Sequence, residues 1–118
     1  MLVLVTSLSS PVLFGRDDLA ARRSQLSTIL QQEWEHTLQV NPELATHAGD
    51  DRYNDRLSDY SAEFFAREIE HSRQVLERIE PIDTAGFPEQ EKLNKILMVR
   101  ILRQQIVRCF FARLELRF

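Results

Sequence analysis

Between residues 26 and 38 large apolar side chains recur every four positions, at Leu26, Leu30, Trp34 and Leu38, with Leu19 and Ile29 on the same side. That spacing places them on one side of a helix, so the pattern predicts an amphipathic helix to about Val40. Asp17 or Asp18, good capping and first-turn residues, marks its start. Asn41-Pro42 ends it, because the residue before a proline is pushed out of the helical region. The same pair can open a short helical turn, with Asn41 as cap and Pro42 in first position, closed by Gly49 in a left-handed conformation. A second helix is predicted from Ser61, its N-cap, to Glu80, just ahead of Pro81. Phe65, Ile69, Leu76 and Ile79 line its apolar face, and Arg67, Glu70, Arg73, Gln74 and Glu77 lie away from it. After the linker PIDTAGF, Pro88 starts a third helix, with Glu89 and Glu91 suited to the positive end of its dipole.

The third helix has a different pattern. Leu93, Ile96, Leu97, Met98, Val99, Ile101, Leu102, Ile106, Val107, Phe110 and Phe111 leave it apolar on nearly every side. A helix of that kind belongs inside a larger structure, and two partner helices cannot wrap it. The expected fold is therefore all-α. It has three main helices, a short helical turn and a polar elbow between the first and second, and the whole reads as a fragment of a larger helical protein or part of an oligomer.

Residues 1–15, MLVLVTSLSSPVLFG, carry no charged side chain and are too few to span a bilayer as a helix. They resemble the apolar core of a secretory signal, without the preceding Lys or Arg and without an A-x-A site after it. A periplasmic or secreted location is the expectation, cytoplasmic if the segment does not act as a signal. The 118 residues suit one domain, and 43% apolar content is enough for a modest core. A net charge of −3 leaves no overall basic field for nucleic acid. The single Cys109 cannot form an internal disulfide and has no CxxC partner, so it is expected as a small buried hydrophobe.

Two Glu-x-x-His pairs stand on the first two helices, Glu33 with His36 and Glu68 with His71. In di-metal four-helix bundles such pairs, with a lone Glu from each remaining helix, hold the ions. Here both Glu fall near their apolar stripes, but both His fall about a quarter turn off centre. The third helix offers no mid-helix carboxylate. Salt links at the edge of the buried face are the simpler reading, and no stoichiometric metal is expected. There is no G-x-S-x-G, no glycine-rich phosphate loop and no HExxH. His47 is a lone loop histidine. The Asp50–Asp59 cluster fails the calcium-loop pattern: counted from Asp51, Tyr53 stands at the third position, and no glycine occurs where one is required.

Residues 50–60, DDRYNDRLSDY, nevertheless raise a question. Turn chemistry accounts for Asp50, Asn54 and Ser58, whose side chains bond nearby amides. It does not account for Arg52 and Arg56, whose planar forks want carboxylates, nor for Tyr53 and Tyr60. The structural polar elbow of Asp50, Arg52, Tyr53, Asp55, Arg56 and Asp59 is expected to fold against other protein.

The pattern N-P-x-x-A-T-x-x-G-D-x-R-Y-x-D-R-L-x-D is present from Asn41 to Asp59, followed by IEPID at 79–83 and FPEQEKLNKILMVRILRQQI at 87–106. Over about Gln31 to Ile106 the chain resembles the N-terminal region of the bacterial domain-of-unknown-function family 885. The resemblance implies a longer, mostly helical, often exported protein similar to zinc metallopeptidases, with an HExxH far downstream and zinc as its cofactor. Two departures stand out: Phe87 occupies a position where the family's cap would be Ser, and after Ile106 the sequence VRCFFARLELRF no longer resembles the family. The expected layout is a signal-like segment at 1–15, a family-like helical region at 16–106 and an atypical tail at 107–118. The leading functional expectation is a truncated N-terminal helical part of an exported zinc-metallopeptidase-like hydrolase, with no active site and no cofactor of its own. Its partner would be the rest of its parent, or a self-associating copy, through helix 88–114. A small helical interaction module is the alternative, and a di-metal carboxylate bundle using Glu33, His36, Glu68 and His71 is the second alternative.

Overall fold

A computed structural model describes residues 12–116, and these are all-helical, with no strand among them. Of the signal-like segment 1–15, residues 1–11 lie outside the described residues. Four α-helices run in the order α1 (Val12–Val40), α2 (Pro42–His47), α3 (Ala62–Ile79) and α4 (Glu89–Glu115), with a 3-10 turn at Asp51–Tyr53 between α2 and α3. The three long helices, the short turn and the elbow are those the sequence predicts. α1 starts at Val12, earlier than Asp17, because only Gly15 disfavours helix between Val12 and Asp17 and one such residue does not stop propagation. α4 passes residue 107 without a break.

The helix ends follow local chemistry. Ser61 Oγ accepts from the Phe64 amide and starts α3. Asn41 precedes Pro42 at the start of α2, but its side chain turns back and donates to the Thr37 carbonyl. Gly49 closes that turn at φ +82° and Gly86 shapes the second linker at φ +83°, where a Cβ would be strained. The linker is tied from both sides. Arg22 donates to the carbonyls of Asp83 and Ala85, and Lys95 Nζ donates to those of Glu80 and Ile82. Ile82 and Phe87 are thereby held in the core.

That core joins Leu26 and Ile29 of α1, Val75 and Ile79 of α3, Leu102 of α4, and the two linker residues. Phe87, the departure from the expected Ser, is a core residue, with the Arg22 guanidinium 5.5 Å from its ring. Two predicted faces are corrected. Trp34, placed on one stripe with Leu26, Leu30 and Leu38, is 50% exposed, although Leu38 one step further is buried at 3%. The line Leu26, Ile29, Glu33 stays buried instead. On α3 the fully buried line is Glu68, Ser72, Val75 and Ile79, so Phe65, Ile69 and Leu76 flank the centre. Both rotations bring polar residues to the middle of the α1–α3 contact.

α4 turns Leu102 and Cys109 inward, with Met98 and Val99 packed against the core. Its other side is bare among the described residues, with Ile96 at 63% and Phe111 at 59% exposure, and Ile101, Val107 and Phe110 also open. No described helix is long and apolar enough to cross a membrane.

Candidate functional site

Glu33 and Glu68 are both buried, at 7% and 4% exposure, and they face each other's helices. Each Glu-x-x-His pair is completed by the other. His36 Nε2 on α1 lies 3.1 Å from both oxygens of Glu68 on α3. His71 Nε2 on α3 lies 2.8 Å from Glu33 Oε1 on α1. Between the two bonds the imidazoles stack, with centroids 3.7 Å apart and planes 18° from parallel. Gln105 of α4 adds a third helix, donating from Nε2 to Glu68 Oε2 at 3.0 Å.

The edge-of-face salt links expected from the sequence therefore exist, but they cross between helices and are not formed within one. Both His stand at the edge of the buried face, at 23% and 30% side-chain exposure. They are half-buried and aimed at the opposite carboxylates, because the buried line of α3 runs through Glu68 and Ser72 and carries His71 inward with them. Burial of a carboxylate is costly unless donors meet it, and here two imidazoles and an amide do so. The hydrogen bond to Glu68 raises the His36 pKa above its ordinary value, against the opposing effect of burial and with smaller help from the Glu68 and Glu33 charges.

Gln105 and Ser72 were outside the sequence reading. Ser72 is fully buried, and its hydroxyl has no partner among the described residues. Cys109, buried as expected, has its thiol pKa pushed up by burial first and by the Glu68 charge second. Only three-dimensional neighbourhood links Gln105 and Ser72 to the histidines, and no spacing in the sequence encodes it.

The arrangement can brace α1, α3 and α4 and can hold a proton between imidazole and carboxylate. Each imidazole Nε2 meets a carboxylate of the opposite helix, and no group of three or more His, Cys, Asp and Glu placed to hold an ion is found among the described residues.

The polar elbow is mostly self-contained. Arg52 grips Asp50 through Nε and Nη2 and reaches Glu35 of α1 at 2.9 Å. Asp50 also accepts from the Arg52 amide, and the Arg52 hydrogen bonds hold its carboxyl below the usual carboxylate range. Thr46 donates to Asn54, Asn54 to Asp51, and Ser58 to Glu43. Asp59 accepts from the Ser61 amide and pairs with Arg67 at 3.6 Å. Within these residues Arg52 finds its carboxylates inside the chain. Arg56 sits 5.8 Å from the Tyr53 ring with no carboxylate, Asp55 makes no ion pair, and Leu57 and Tyr60 are open, at 86% and 71% exposure. His47 is exposed at the end of α2.

Comparison with family models, with curated proteins and with solved structures gave no match to this chain.

Proposed function

We propose that the chain is the N-terminal helical part of an exported zinc-metallopeptidase-like hydrolase of the family-885 kind, and that its task is to dock α4 onto the catalytic body. The observation that supports this reading is the outer face of α4, where Ile96, Ile101, Val107, Phe110 and Phe111 stand in water. Monomeric proteins rarely leave a contiguous apolar surface of that kind uncovered, and such surfaces mark protein contacts. The open residues of the elbow, Arg56, Leu57 and Tyr60, are a second, smaller contact on the same reading. Zinc and its ligands belong to the body: these residues contain no HExxH, and the only Glu-x-x-His pairs are engaged with each other.

The test is reconstitution. The body of a family-885 protein, produced without its own N-terminal helices, is mixed with this chain and followed by light scattering and by zinc-dependent peptide hydrolysis. A one-to-one complex that forms with the wild type and is lost in Phe111→Asp, together with a gain in hydrolysis, is the expected result. A body that ignores the chain overturns the proposal and leaves an interaction module for an unrelated partner.

A further inference from the structure

The charge on α4 is as uneven as its hydrophobicity. Between Glu91 and Glu115 there is no acid at all, while six Lys and Arg occur. The remainder of the chain holds nine Lys and Arg against all eighteen acids. An acid-free run of this length, in a protein that is acidic overall, leaves one helix with a field opposite to that of its surroundings.

Three of these six cations, Lys92, Lys95 and Arg103, are used within the chain. The lysines are used internally: Lys92 pairs with Glu89, and Lys95 holds the linker carbonyls. Arg103 is shared with Glu80. Arg100 and Arg108 are exposed and have no ion pair among the described residues. They stand about 12 Å apart along the axis, at about 1.5 Å per residue. Ile101 and Val107 lie between them and are exposed on the same outer side.

We propose that the surface covering α4 is an acidic amphipathic helix of another polypeptide, whose apolar side chains meet the Ile101–Phe111 stretch and whose carboxylates receive Arg100 and Arg108. This rests on the docking role of α4 proposed above and specifies the chemistry of the occupant. Arginine presents a planar fork that matches a carboxylate with two parallel hydrogen bonds, and unpaired arginines set among apolar side chains fit fixed carboxylates at defined positions. A bilayer surface is a poorer match. Interfacial helices keep cations on a polar face opposite the apolar one, whereas Arg100 lies in the middle of the apolar stretch, and the chain's one Trp is on α1. A second copy of α4 would set like charges against each other along the whole contact.

The test uses the full 118-residue chain and a designed helical peptide with leucine on one face and glutamate on the other, compared with its glutamine counterpart. Binding is followed by fluorescence anisotropy at low and high salt. The expected result is at least about tenfold tighter binding of the glutamate peptide at low salt, a preference that shrinks as salt rises. Arg100→Glu with Arg108→Glu should abolish the preference while circular dichroism and the melt stay unchanged, as substitutions on an exposed helix face allow. Vesicles of phosphatidylglycerol and of phosphatidylcholine, and light scattering of the chain alone, complete the set. Equal binding of the two peptides, or a preference that survives the double substitution, overturns the acidic occupant while leaving α4 as a docking helix. Tight binding to phosphatidylglycerol vesicles without peptide binding assigns the face to a membrane. A stable dimer that excludes the peptide assigns it to a second copy. No binding to any probe, with a monomer that melts sharply, removes the docking reading itself.

Discussion

Glu68 is met by donors from two different helices, His36 of α1 and Gln105 of α4, at a point where it is almost out of reach of water. Removing it strands both. Glu68→Ala is expected to cost about 3–5 kcal/mol in chemical denaturation, the range for one partner of a buried pair, and Glu68→Gln about 1.5–3 kcal/mol, since shape is kept and charge is lost. His36 makes the brace pH-dependent. Its pKa is raised in the folded chain, so the stability it contributes is complete below the unfolded value of about 6.5 and is lost as pH rises through the higher folded value. The groups around it are Glu33, Glu68, His71 and Gln105. Melts of the wild type should therefore fall relative to those of His36→Gln as pH goes from about 6 upward, and a parallel pair of profiles would contradict the assignment. The Glu-x-x-His spacing was legible in the sequence, but the exchange of partners was not. It depends on α3 turning Glu68 and Ser72, not Phe65 and Ile69, to the centre of the contact, and a periodicity weighted by hydrophobicity cannot see a buried glutamate.

At the scale of elements, boundaries were readable because their causes are local. Ser61, Pro42, Gly49 and the prolines at 81 and 88 each act through the backbone within a few residues. The faces were less so, since the rotation of a helix is set by what it packs against. Gly49 offers a clean check on the local argument: its φ is +82° and nothing lies within 4 Å of where a Cβ would be. Gly49→Ala should cost about 1 kcal/mol or more from conformation alone, and Gly49→Asn less, because asparagine tolerates the left-handed region. In the elbow, Arg52→Ala is expected to lower the melting point slightly, as loss of an exposed ion pair does, and Arg56→Ala to leave it unchanged in the isolated chain. If Arg56 loses stability equal to Arg52 there, it has a partner inside the chain and the elbow has less to offer a neighbour.

For the whole molecule, the sequence already indicated that α4 carries more hydrocarbon than two helices can cover, and the exposed outer face has that character. Each large side chain left open forgoes about 1.5–3 kcal/mol of burial, a large share of a total stability of about 5–15 kcal/mol. The isolated chain is expected to bind a dye sensitive to apolar surface, and an absence of dye binding would contradict this. The opposite side of the same helix has a separate use. Cys109 is the sole thiol of the chain, lies on the inward side of α4, and is held by burial in its unreactive protonated form. An alkylating reagent can reach it only when α4 swings away from α3. The rate of that one modification is then a clock for the helix's detachment, readable by mass without any introduced label, and it should slow when a partner fastens the far side of α4 in place.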